Sequence, residues 1–187
     1  MDELYSRVSE ITKQVLYPYM KEEEISTLNY HFRYYFDHCI DVNQIQVIAH
    51  HFSNHKIEGL TVIDELGTSF SYEQDNPVVK RHFTLCHELG HFILKHDGSY
   101  FTESVDNKES ILEREANIFS AIVLMPDIVL LSKIYYACYS FQKVKEDLEV
   151  SKQALHFRLI DLLRVYKMGT ELAIKQAVDE YLDGQNA

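Results

Sequence analysis

The segment His87-Glu88-Leu89-Gly90-His91 constrains the fold of this chain more than any other stretch. Asn76 and Pro77 are typical of a helix start, because an Asn side chain caps free amides and Pro suits the first helical position. Asp97-Gly98 is typical of a stop. Positions i and i+4 of the helix between them share one face, so both imidazoles can reach a single metal ion. Glu88 lies beside that face, where its carboxylate can accept a proton from an attacking water.

A second helix is predicted from Ser110 to Met125, because capping residues precede this apolar stretch and Pro126 follows it. A hydrolytic metal site takes three protein ligands and keeps a fourth position for water, so this helix is expected to supply the third ligand. Glu113 and Glu115 stand about 200° apart around the helix axis, so only one of them can face the metal. Glu115 falls among apolar residues, whereas Glu113 shares its sector with Asn117. We therefore assign Glu113 as the ligand and Asn117 as a residue that orients a ligand imidazole through its other ring nitrogen.

These two helices carry a longer sequence pattern. The first segment, from Arg81 to His91, is RHFTLCHELGH, and the second, from Glu113 to Pro126, is EREANIFSAIVLMP. Together they resemble the paired signature of the ImmA/IrrE family of intracellular zinc metallopeptidases. The match includes the Phe83-Thr84-Leu85 lead-in, the E-x-x-A-N spacing and the terminal Leu-Met-Pro, and the resemblance extends in order over residues 57 to 167.

The resemblance implies a Zn²⁺ ion held by His87, His91 and Glu113, with Glu88 as the general base. One departure from the family pattern is Cys86, where members usually carry a small residue such as Ala. The Cys86 side chain points about 100° away from that of His87, so we expect it to pack in the core and not to bind the metal.

The remaining histidines lack the spacing of a metal site. His50-His51 and His55 are expected at the surface or in the core. His96 follows His91 by five residues and is expected to lie off the metal face and to cap the end of the helix.

Composition limits the organisation and location of the chain. With 187 residues, 46% of them hydrophobic, it can bury one core and a small appended unit, which we place at residues 1–140 and 141–187. The sequence opens without a secretory pattern, and its longest apolar stretch, from Ala121 to Leu131, is interrupted by Pro126-Asp127 and is too short for a membrane span. Three widely spaced cysteines indicate reduced thiols. A cytoplasmic protein without membrane contact is expected.

The pattern of elements predicts an α+β, zincin-like metallopeptidase domain with a small antiparallel sheet. Two helical stretches fill the first fifty residues, the second starting near Ile25, and strands are predicted at Ile57 to Ile63 and Thr68 to Gln74. The second strand is expected at an edge beside the metal helix, where it would pair with an extended substrate. An edge that merely covers the core is an equally good interpretation.

The C-terminal part resembles a helix-turn-helix. After a helix predicted from Ile128 to Phe141, Leu148 to Ser151 form a turn, with Ser151 capping the following helix. Residues 143–167 hold six Lys or Arg against four Asp or Glu, and the whole chain has a net charge of −11. We therefore expect these helices to pack or to recognise a partner protein, and direct DNA binding is not expected.

The function predicted from the residues and the resemblance is zinc-dependent endopeptidase activity. By resemblance alone, the substrate is a cytoplasmic DNA-binding repressor with a helix-turn-helix, cut at one site to release stress-response or mobile-element genes. Two alternatives stay open: a toxin partnered by an antitoxin of repressor type, and a DNA-binding regulator of a phage module. The thirteen tyrosines offer too many candidates for an oxyanion donor, which stays unassigned, as does the oligomeric state.

Overall fold

The computed structural model describes residues 3–53, 57–96, 100–104 and 110–184, with the backbone alone at 100–104. These residues form a mixed α+β fold of helices and one four-stranded sheet, against which α3 packs. The helices are α1 (Glu3–Glu22), α2 (Phe32–Asn43), α3 (Val78–Ile93), α4 (Ile111–Leu124), α5 (Asp127–Leu131), α6 (Phe141–Asp147), α7 (Lys152–Val165) and α8 (Glu171–Asp183). A π-helical segment, Ser132–Tyr136, follows α5, and the strands are β1 (Gln46–His50), β2 (Ile57–Asp64), β3 (Gly67–Glu73) and β4 (Tyr100–Ser104).

The sheet has the strand order β1-β3-β2-β4. Strands β2 and β3 form a hairpin at the two predicted positions, with Gly67 adopting a φ of 126° at the turn. Strand β4 is antiparallel to β2, but β1 is parallel to β3, so the sheet is mixed and not purely antiparallel. Because β3 is paired on both sides, the prediction that it forms a free edge for substrate is wrong.

The first fifty residues depart from the prediction of two long helices. Helix α2 begins only at Phe32 and ends at Asn43, because Gln44 takes a left-handed φ of 54°. Ile45 then enters the core, and residues 46–50 form β1, whose pairing with β3 makes it a strand. The helix predicted from Ile128 to Phe141 is also divided, into α5, the π-helical segment and the start of α6.

Helices α3 and α4 pack closely against each other. Gly90 of α3 makes this possible, since a Cβ at this position would lie 3.1 Å from the ring of Phe119 and 3.2 Å from Cα of Ala116, both on α4. Around this contact one buried apolar cluster extends from Val8 of α1 to Val178 of α8. The close approach brings the histidines of α3 within reach of the first turn of α4.

A buried ion pair ties the C-terminal helices to the same core. Arg158 of α7, 2% exposed, donates from Nε to the carbonyl oxygen of Met125 at 3.1 Å and forms an ion pair with Asp127. Lys13 of α1 reaches the other oxygen of Asp127 at 2.6 Å. Helices beyond residue 140 therefore share the core with α1 and α5, and the division into 1–140 and 141–187 stays a prediction.

Among the described residues, one helical stretch is long and apolar enough to cross a membrane, judged by length and composition alone. It runs over 26 residues from Ile111 to Tyr136, through α4, α5 and the π-helical segment, so the apolar stretch is longer than the sequence indicated. Its most apolar part has a mean hydropathy of 1.8, and 61% of that part is buried inside the protein. Burial of this kind is what a core helix of a soluble protein shows, and α4 forms the centre of the packing described above.

Candidate metal centre

Helix α3 presents two histidines to a buried point between α3 and α4. His87 and His91 are each 1% exposed, and their Nε2 atoms lie 3.0 Å apart. The i, i+4 spacing produces this arrangement, because one helical turn places the two rings on the same face. Both histidines occupy the second half of a 16-residue helix, where flanking backbone hydrogen bonds hold their Cα positions.

Glu113 joins them from the first turn of α4. Ser110 caps this helix, as its Oγ accepts from the backbone N–H of Glu113 at 3.1 Å. The two carboxylate oxygens of Glu113 lie 3.0 Å from Nε2 of His87 and 3.4 Å from Nε2 of His91. One ligand atom from each of the three residues lies within 4.8 Å of the other two.

This cluster fits a metal ion by spacing and by proton placement. A tetrahedral site with bonds of about 2.0–2.1 Å separates its ligand atoms by about 3.3 Å, close to the distances found here. His87 Nδ1 lies 2.9 Å from Oδ1 of Asn117, an acceptor, so the ring proton belongs on Nδ1 and the lone pair of Nε2 points at Glu113. With the ring in this form, the Nε2 lone pair and the Glu113 carboxylate can both bind a cation placed between them.

The pKa shifts favour the protonation states that a cation requires. Burial raises the pKa of Glu113, but its contacts with His87 and His91 outweigh this and lower the pKa to about 2. Burial lowers the pKa of His91 from its ordinary value. A charged carboxylate and a neutral imidazole are the forms that bind metal.

Glu88 lies next to the cluster and is fully buried. Its Oε2 accepts a hydrogen bond from Thr61 Oγ1 of β2 at 2.6 Å. Two residues before Thr61, Gly59 leaves room for the carboxylate, since a Cβ there would lie 2.4 Å from Oε1 of Glu88. Sequence reasoning missed both strand residues; the signal for them is the two-residue period of β2, which places Gly59 and Thr61 on one face.

His96 departs from its predicted place, and Glu115 makes polar contacts that the sequence did not predict. His96 is 8% exposed and lies between His91 and Glu115, whereas Leu94 caps the end of α3. The chain reverses at Lys95, with a φ of 54°, and this turn directs the His96 ring back toward α4. Glu115 is buried, as expected, but it forms polar contacts with His96 and with Arg7 of α1.

Other predicted positions are placed as follows. Cys86 is fully buried in the apolar cluster, which matches the predicted packing role, and burial raises the pKa of its thiol well above the usual value. His51 is exposed beside Glu73 and Asp75 at the end of β3. His55 and the predicted helix stop at Asp97-Gly98 lie outside the described residues.

A cavity of about 430 Å³ opens beside the cluster, and His87 and Glu113 form part of its wall. Its apolar lining comes from Val79, Phe83, Leu124 and Val150, and the turn before α7 adds Ser151. Ser151 caps α7 as predicted, accepting from the backbone N–H of Ala154 at 3.0 Å. The turn before α7 therefore lines the same cavity as His87 and Glu113.

Comparison with known proteins agrees with this geometry. Residues 40–160 match the family model described as the IrrE N-terminal-like domain, a peptidase family. A search of curated proteins gives no significant match. The matched range includes β2, the whole of α3 with His87, Glu88 and His91, and α4 with Glu113 and Asn117. The chain, with its paired helices and candidate metal cluster, belongs to the ImmA/IrrE family of metallopeptidases.

Proposed function

We propose that this protein is a zinc-dependent endopeptidase of the H-E-x-x-H type that cuts a cytoplasmic protein. The observation that carries the proposal is the cluster of His87, His91 and Glu113, together with the buried Glu88, which follows His87 in the chain. Two imidazoles and one carboxylate form the ligand set of catalytic zinc sites that keep one position open. Family membership supports the peptidase class.

His87 and His91, through Nε2, and Glu113, through its carboxylate, would hold the ion. When bound, zinc polarises the scissile carbonyl and lowers the pKa of a water molecule. Glu88 takes the proton of the attacking water and passes it to the leaving amine. Thr61 donates to one oxygen of Glu88 and so sets the direction of the carboxylate, while Gly59 gives it space.

The strand order supports a zincin-like mode of substrate binding. Strand β4 pairs only with β2 among the described strands and so forms one edge of the sheet, and β2 carries the two residues that contact Glu88. We propose that an extended segment of the substrate pairs with β4, which replaces β3 in this role. Backbone pairing would align the scissile bond without selecting its side chains.

The substrate we propose is a helix-turn-helix repressor, whose cleavage at one site releases stress-response or mobile-element genes. Membership of the ImmA/IrrE family supports this substrate. Free peptidase activity in the cytoplasm would damage the cell, so a buried site with restricted access suits a single protein target.

We propose that the C-terminal unit, residues 141–187, serves partner recognition and not DNA reading. Of its cations, Arg158 is buried against Asp127, and Lys143 lies 2.5 Å from Asp147. Arg164 is paired with Glu171. Three of the six Lys or Arg in residues 143–167 are thus paired with acidic residues, which reduces the positive charge left for phosphate contacts, the source of most non-specific DNA affinity.

The test is incubation of the zinc-loaded protein with unfolded casein and with a helix-turn-helix repressor, chosen from the neighbouring reading frame if one is encoded there. We expect one cut in the repressor, none in casein, and no cut by the Glu88→Gln variant. Degradation of casein would show a broad peptidase. Growth arrest on expression that survives loss of His87 and His91 would support the toxin, and a shift of operator DNA without proteolysis would support the DNA-binding regulator.

A further inference from the structure

A line of polar contacts leads from His91 of the metal cluster to helix α1. Nδ1 of His91 lies 2.8 Å from Nδ1 of His96, and Nε2 of His96 lies 2.9 Å from Oε2 of Glu115. The other oxygen of Glu115 pairs with the guanidinium of Arg7. The proposed proton transfers use none of the last three residues.

The proton positions along this line are determined by its first member. A His91 ring that offers the Nε2 lone pair to a cation carries its proton on Nδ1, so Nδ1–H donates and His96 Nδ1 accepts. The proton of His96 must then be on Nε2, from which it donates to the carboxylate of Glu115. Each donor meets an acceptor only in this one arrangement.

Burial makes the arrangement costly to break. His91, His96 and Glu115 are 1%, 8% and 6% exposed, so water does not replace a lost partner easily. The buried charge of Glu115 is balanced by Arg7, whose own side chain is 56% exposed. Four separate elements are joined: α3, the turn after it, α4 and α1.

We propose that His96, Glu115 and Arg7 form, with His91, an orienting relay that holds the His91 ring in its metal-binding tautomer and direction. His96, Glu115 and Arg7 are positioning residues, since none of them contacts the proposed zinc. The proposal rests on the metal site of the proposed function. It also gives the N-terminal helix a role in that site, because Arg7 lies outside residues 40–160, the range of the family match.

The orienting relay predicts a graded loss of zinc affinity along its length. His96→Phe removes the acceptor for His91 and is expected to weaken zinc binding by about 10–100-fold, as loss of a ligand's hydrogen-bond partner does. His96→Asn keeps an oxygen near the place of Nδ1, so its effect should be smaller. Arg7→Gln, at an exposed position, should cost a few-fold at most.

The relay also predicts coupling between its members. Because Glu115 acts on His91 only through His96, Glu115→Gln should weaken zinc binding in the wild-type background and have no further effect when His96 is already Phe. A role in packing alone would give two independent losses.

The experiment measures zinc affinity by competition with a chromophoric chelator, and the melting temperature of each metal-free variant. The matched control for His96→Phe is His82→Phe, a histidine of α3 that is 4% exposed and contacts Arg33, away from the cluster. Lys21→Gln, at an exposed site on α1, is the control for Arg7→Gln. The visible spectrum of the Co²⁺-loaded protein reports the ligand geometry directly.

We expect His96→Phe to lose affinity and to change the Co²⁺ spectrum, while His82→Phe lowers the melting temperature with affinity within two-fold of wild type. Equal affinities for the two variants would overturn the relay, as would additive effects of His96→Phe and Glu115→Gln. A wild-type protein that binds no zinc would instead overturn the proposed function and the relay with it.

Discussion

Gly59→Ala should disable Glu88 without disturbing the metal ligands. An added Cβ would lie 2.4 Å from Oε1 of Glu88 and 2.5 Å from Cγ2 of Thr84, closer than any normal contact, so β2 or the carboxylate must shift. Overpacking of this kind costs about 1–3 kcal/mol of stability. A displacement near 1 Å at a catalytic group can cost about 100-fold in rate, which is the loss of kcat/KM that we expect.

The assay combines three measurements on the purified variant: cleavage of the repressor, zinc affinity and urea unfolding. The control is Gly67→Ala in the β2–β3 turn, where a Cβ meets no atom within 4 Å but the φ of 126° is strained for alanine. Both variants should lose stability, and only Gly59→Ala should lose activity at unchanged zinc affinity. Wild-type kcat/KM in Gly59→Ala would refute the assignment of Glu88 as a base held against β2.

Three further predictions concern the site and its support. Glu88→Gln should keep zinc, measured by chelator competition, and lower turnover by about 10²–10⁴-fold because only the proton acceptor is lost. Asn117→Ala should weaken zinc binding by about 10–100-fold, and Glu113→Ala by more, since it removes a ligand and not a partner of one; the reverse order would contradict the assignment. Asp127→Asn should cost about 3–5 kcal/mol in urea unfolding at pH 7 by leaving Arg158 buried without its anion. Burial raises the pKa of Asp127, but Arg158 and Lys13 lower it by more, so the net pKa is below the usual value. The stabilisation by the Asp127 carboxylate therefore holds at neutral pH and is lost as pH falls through the folded pKa; the Asn variant should lack this dependence.

The elements that carry the cluster were predictable because their signals are local. The turn residues around Pro77 and the capping Ser110 mark where α3 and α4 begin, within a residue or two of the structure. Alternation of polar and apolar residues likewise located β3, and the turn-like residues before β3 located β2. Helical geometry then predicted that Glu113 and not Glu115 faces the histidines, as their distances show.

Contacts between segments that are far apart in the chain could not be predicted from the sequence. Strand β1 has no buried alternation, since all five of its residues are exposed, and it is a strand only through pairing with β3. Because of the same pairing, β3 lies in the interior of the sheet and not at the predicted edge. The position of His96 was predicted wrongly because it depends on the chain reversal at Lys95, which helical spacing does not predict.

By itself, the sequence determined which residues can bind a metal and which face of each helix they share, because helix periodicity acts over a few residues. Only the tertiary structure decided what surrounds them: Thr61 and Gly59 against Glu88, and His96, Glu115 and Arg7 behind His91. Arg7 and Glu115 are 108 positions apart in the chain. Such a contact exists because burial of the apolar faces of α1, α3 and α4 brings the three helices together. The arrangement of these helices depends on the packing of the whole core, which no local sequence pattern describes.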